Sequence, residues 1–110
     1  ATLGAQGKMH LRELAGTLMK ISAQIPPDID WILRIDGHTD RVPIGSSSFA
    51  SNWELSTARA VSVVRYLAEL GIPESRMAAT GFSKFHPLDD ADTAEAYRKN
   101  RRIEIKLTSR

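Results

Sequence analysis

The chain has 110 residues, 42% hydrophobic and 25% charged, with a net charge of +2 at pH 7 and no cysteine. That is one domain with room for a single two-layer core. It excludes a disulfide framework, a thiolate metal site and the dense basic surface that nucleic acid requires.

In chain order, Leu11, Leu14, Leu18, Ile21 and Ile25 come first, and their spacing of three or four predicts one apolar helix face. Pro26-Pro27 ends that helix by removing a donor and restricting the residue before it. Trp31, Leu33 and Ile35 then alternate with Ile32, Arg34 and Asp36 as a strand closed by Gly37. His38 to Ala50 reads as a long loop that contains the low-complexity patch Gly45-Ser46-Ser47-Ser48. Ser51-Asn52-Trp53-Glu54 has the form of a capping box and opens a helix to about Leu70, before Gly71 and Pro73. A short strand is predicted at Met77 to Thr80. A brief helix capped by Asp92 or Thr93 reaches Asn100, and Ile103-Glu104-Ile105-Lys106-Leu107 alternates as a half-buried strand. Helices alternating with strands imply a sheet covered on one face.

In the second long helix, a 100° step puts Trp53, Thr57, Ala60, Val61, Val64, Leu67 and Ala68 on the stripe expected to face the core. A flanking stripe carries Asn52, Ser56 and Arg59 in its first half and Val63, Tyr66 and Leu70 in its second. Arg59 leans back toward the first turn, where free amides favour an anion. With Asp40 just beyond the strand, the pair can grip a small zwitterion, Asp40 facing an ammonium and Arg59 a carboxylate. The plain alternative is that Arg59 pairs with Asp40 or Asp36 and only ties the loop to the helix.

Other chemistries find little support. His38 and Asp40 alternate and His86 could join them around a metal, but Gly37 ends the strand that would align the first two. His38 reads instead as a hydrogen-bonded structural residue, and His10 as exposed on the first helix. The serines at 46 to 48 lack a nucleophile-elbow pattern. Arg98-Lys99 and Arg101-Arg102 are basic without the aromatic series that stacks bases. No apolar run reaches the ~20 residues of a membrane span, and the chain opens on Ala1 without a leader, so it is read as a domain of a longer parent.

Gly37-His38-Thr39-Asp40, then Asn52, Leu55-Ser56 and Arg59-Ala60, carry a resemblance to the OmpA-like peptidoglycan-binding family. Gly71, Arg76, Gly81, Pro87 and Asn100-Arg101-Arg102-Ile103 continue it, over residues 3 to 108. Val42-Pro43-Ile44 and Phe49-Ala50-Ser51-Asn52-Trp53-Glu54-Leu55-Ser56 resemble the motor-protein (MotB-like) branch more than the lipoprotein branch. The resemblance implies an α+β two-layer sandwich over residues 1–110: a small mixed sheet, two main helices on one face and a short third helix. The family's first strand is missing or reduced to a stub here, which would expose a sheet edge. The loop from Arg41 to Ala50 is longer than in the lipoprotein branch.

By the same resemblance the ligand is the peptide stem of peptidoglycan, gripped through diaminopimelate. Asp40 would take its ammonium and Arg59 its carboxylate, with Thr39, Asn52 and the backbone at Leu55 as neighbouring contacts. The module would be non-catalytic, need no cofactor or metal and bind no nucleic acid. It would tether a membrane-anchored parent to the wall in the periplasm of a Gram-negative envelope. Retention would come from many copies or from a homodimer. The alternative is a structural or protein-interaction module of the same fold that has lost the ligand.

Overall fold

The computed structural model describes residues 3–44 and 48–109. Gly45, Ser46 and Ser47 of the low-complexity patch, and Thr2 at the start of the chain, lie outside the described residues. In chain order the elements are α1 (Ala5–Gln24), β1 (Trp31–Gly37), α2 (Asn52–Glu69), a 3-10 turn (Glu74–Arg76), β2 (Met77–Gly81), α3 (Ala94–Asn100) and β3 (Ile103–Ser109). Every predicted element is present, the 3-10 turn is additional, and α1 is the first element among the described residues.

The sheet is mixed, in the order β2-β1-β3, with β2 parallel and β3 antiparallel to β1. Alternation along β1 sends Leu33 and Ile35 into the helix layer, where both are buried with Ala15, Ala60, Val63, Leu67 and Ile72. Ile35 and Leu67 are each 0% exposed, and burying a side chain of that size stabilises by ~1.5–3 kcal/mol. Arg34 and Asp36 take the other face of β1, across from Lys106 and Glu104 of β3. The fully buried Asp36 carboxylate is held by Arg34 through Nε at 2.9 and 3.1 Å and Nη2 at 2.9 Å. Arg76 fastens the 3-10 turn to β1, donating to Trp31 C=O at 3.1 Å and lying over the Trp31 ring.

Two expectations about helix faces are corrected. On α1, Leu11 and Leu18 pack against the core beside Ala15 and Leu14 is half-buried, but Ile21 is 42% exposed. On α2 the buried face is Ser56, Ala60, Val63 and Leu67, whereas Trp53 is 51% exposed and Thr57 is exposed. The core stripe is thus rotated toward the side that carries Asn52 and Arg59. The cause is the approach of α2 to two glycines at the strand ends. Gly37 and Gly81 stand opposite one another in the sheet. A Cβ on Gly37 would lie 2.0 Å from Ser56 C=O, and one on Gly81 2.1 Å from the Thr57 hydroxyl. A helix seated that closely can turn a serine, not an indole, toward the sheet.

Candidate functional site

Beyond Gly37 the chain stays wedged between its two neighbours instead of leaving as a free loop. His38 N–H donates to Arg102 C=O at 2.9 Å, and Thr39 N–H donates to Ser83 C=O at 3.0 Å. Ser83, in the left-handed region at φ 56°, is itself held by its N–H to Ser56 Oγ at 3.1 Å. The path through His38, Thr39 and Asp40 is therefore set from β3 on one side and from the turn after β2 on the other. All three residues are buried.

Asp40 has both carboxylate oxygens engaged. Oδ1 accepts from Val42 N–H at 2.9 Å, and Oδ2 accepts from Arg101 Nη1 at 2.6 Å. Thr39 Oγ1 donates to Asp40 C=O at 2.8 Å. Asn52, the first residue of α2, donates to Val42 C=O at 3.3 Å and reaches Asp40 C=O at 3.5 Å. Its cap is Ser51, whose Oγ accepts from Trp53 N–H at 3.1 Å and whose hydroxyl meets the Glu54 carboxylate. That contact holds Glu54 below the usual carboxylate range.

Arg59 reaches back from the second turn of α2 and donates through Nη1 to His38 C=O at 3.2 Å. Among the described residues it has no ion pair. Burial, and then the neighbouring Arg101, push its pKa below the ordinary arginine value, while Asp40 acts in the opposite sense. It is a half-buried cation whose one hydrogen bond among the described residues goes to a neutral carbonyl.

Thus Asp40, Thr39, Asn52 and Arg59 are brought together at the junction of β1 and α2. Leu55 is not tied into this network: its N–H is spent on Ser51 C=O at 3.2 Å in the first turn of α2. Neither partner suggested for Arg59 as a plain tie, Asp40 or Asp36, forms an ion pair with it. Asp40 belongs to Arg101, and Asp36 to Arg34. Arg101, at the C-cap of α3, is the residue that sequence reasoning missed. Beside it Asn100 clamps the loop before α3, accepting from Leu88 N–H at 2.8 Å and donating to Asp89 C=O at 2.9 Å. The cap of α3 is Thr93, not Asp92; Thr93 Oγ1 accepts from Ala96 N–H at 3.1 Å.

His38 is hydrogen-bonded at the strand end through its backbone, its N–H donating to Arg102 C=O and its C=O accepting from Arg59, but not through its ring. Among the described residues neither ring nitrogen has a hydrogen-bond partner, and Nε2 stands 3.9 Å from the Glu104 carboxylate. The ring is held by packing, stacked on Phe82 at 5.0 Å between centroids and met edge-on by His86 at 6.3 Å. Burial and then Arg102 lower its pKa from 6.5; Glu104 and Asp36 oppose them, and His86 adds a smaller push downward. Folded His38 is therefore neutral where the unfolded chain already binds a proton. Stability is complete above the unfolded value near 6.5 and is lost as pH falls through it. Thermal midpoints should drop between pH 7.5 and roughly 5.5, and His38→Phe, which keeps the stack, should flatten that drop. An equal drop in both proteins would count against this account.

The OmpA family model matches residues 5–101. Motility protein B of Bacillus subtilis (strain 168) is 40% identical over 77 residues, which is 69% of this chain and 30% of that protein. The chain therefore spans less than a third of that relative's length. The C-terminal domain of Helicobacter pylori MotB (residues 125-256) superposes with a TM-score of 0.86 at 22% identity, covering 97% of this chain and 76% of that one. The peptidoglycan-associated lipoprotein from Burkholderia pseudomallei has the same fold, with a TM-score of 0.76 at 24% identity over 97% of this chain and 81% of its own. The two-layer α+β architecture, the matched span and the MotB relative agree, and this chain belongs to the OmpA family.

Proposed function

We propose that this domain binds peptidoglycan without chemistry, gripping the diaminopimelate of the stem peptide and so tethering its parent protein to the wall of the bacterial envelope. Domains of this family generally bind peptidoglycan, and one fold relative is named for its association with that polymer. The observation that carries the finer reading is Arg59, a half-buried cation without an ion pair among the described residues, close to the buried carboxylate of Asp40. The free end of diaminopimelate in a stem peptide offers one ammonium and one carboxylate. A carboxylate at Arg59 would neutralise a charge that burial disfavours, and a planar guanidinium can hold it through two parallel bonds. The ammonium would go to Asp40, with Thr39 and Asn52 keeping that loop in shape and Leu55 at the edge of the site.

Co-sedimentation with purified sacculi tests the reading. The wild type should pellet, and Asp40→Ala and Arg59→Ala should remain in the supernatant while circular dichroism shows them folded. Pelleting of both folded variants at the wild-type level would refute the clamp. A wild type that stays in the supernatant would favour a structural or protein-interaction module.

A further inference from the structure

Asp40 is already taken by Arg101, at 2.6 Å. We infer that Arg101 is a specificity-determining gate: it occupies Asp40 in the free domain and must leave before an ammonium binds, so the site admits zwitterions and rejects plain amines. This rests on the binding reading above and adds to it a residue and a selection rule.

The two members of the pair differ in mobility. The Asp40 side chain is 11% exposed and further fixed by Val42 N–H, whereas the Arg101 side chain is 45% exposed and holds Asp40 through one guanidinium nitrogen. Arg101 is therefore the member that can swing into water. Nearby cations are committed elsewhere, Arg41 to Asp92 at 3.0 Å and Arg102 to Glu104 at 2.6 Å. Among the described residues the site proper thus holds one carboxylate, Asp40, and two guanidinium groups, Arg59 and Arg101.

That charge count makes the selection. An amine arriving alone would add a third cation, and it would have to break an existing ion pair to reach Asp40. Nothing in the exchange relieves Arg59. A zwitterion performs the same exchange but brings an anion, which Arg59 accepts and which the released Arg101 also faces. The requirement for both ligand charges is thereby built into the free state of the protein.

The test compares meso-diaminopimelate with 1,5-diaminopentane, the same diamine without its carboxylates, by calorimetric titration of the wild type, Arg101→Gln and Arg101→Lys. Removing the competitor should cut the preference for diaminopimelate about tenfold, chiefly by admitting the diamine, the size expected for one charge-assisted hydrogen bond. Arg101→Lys, which retains the charge, should keep most of the preference. An unchanged preference in Arg101→Gln, or equal weakening of both ligands, would overturn the gate. A ligand-free arm follows the Arg101 side-chain ¹⁵N resonances, which should show restrained rotation in the wild type and free rotation in Asp40→Asn. Identical Arg101 signals in those two proteins would also overturn it. A restrained Arg101 in a wild type that binds neither diaminopimelate nor sacculi would instead refute the binding reading, and the gate with it, leaving the ion pair standing.

Discussion

Gly37→Ala is expected to lower the unfolding free energy by about 3 kcal/mol, the upper end of overpacking costs, and the thermal midpoint by roughly 12 °C. The added Cβ would sit 2.0 Å from Ser56 C=O, 2.9 Å from its carbonyl carbon and 3.4 Å from its Cα. These are backbone atoms of α2, so no rotamer change can relieve the clash; the helix must lift or the strand end must shift. Gly37 is not among the residues with positive φ, so the requirement is for space and not for backbone freedom. Gly16, in the middle of α1 with nothing within 4 Å of an added methyl, supplies the contrast. There alanine should be stabilising by ~0.5–1 kcal/mol through helix propensity. Urea unfolding followed by circular dichroism reads both variants. A loss at Gly37 of under ~0.5 kcal/mol, the range of ordinary surface substitutions, would show that α2 does not rest on the strand ends as described.

That contact also explains which parts of the molecule could be read in advance. Cap, alternation and breaker signals are local, so Ser51 before α2, the alternation in β1 and β3, and Pro26-Pro27 after α1 placed the elements correctly. The rotation of α2 about its axis is not local. Hydrophobicity alone assigns Trp53 to the core, yet the seat on Gly37 and Gly81 turns Ser56 inward and leaves the indole 51% exposed against Phe85. The same rotation brings Arg59 to the His38 carbonyl at the end of β1; spacing alone leaves Asp40 and Arg59 open to reading as a plain tie, and the family resemblance is what singles them out. Arg101 could not be singled out, because it lies 61 residues from Asp40 and its approach depends on α3 ending beside β3. Its basic neighbour Arg102, just before β3, pairs with Glu104 of that strand. Identical residue types side by side in the chain thus serve different partners, and only the fold separates them. His38 shows the converse limit: a polar residue at a strand end suggested hydrogen bonding, but its ring is stacked on Phe82, from the segment following the neighbouring strand.

Arg59→Met should separate stability from binding more sharply than any other substitution. If Arg59 merely tied α2 to the loop, its removal would weaken the fold. Instead its guanidinium is half-buried, repelled by Arg101 against the pull of Asp40, and among the described residues bonded only to the neutral His38 carbonyl. Methionine has a similar reach, fills irregular space and carries no charge to desolvate. The thermal midpoint should therefore stay level or rise, as happens when a site kept strained for function is relieved. Binding to sacculi should meanwhile fall by about thirtyfold or more, the ~2 kcal/mol or greater cost of deleting one partner of a buried charge pair. Arg59→Lys should recover only part of that loss, because an ammonium is a point charge and cannot form the two parallel bonds of a guanidinium. A midpoint that drops by several degrees in Arg59→Met, with binding intact, would return Arg59 to a structural role. A stable protein that no longer pellets would establish that the fold bears a half-buried positive charge for the sake of a carboxylate it receives from outside.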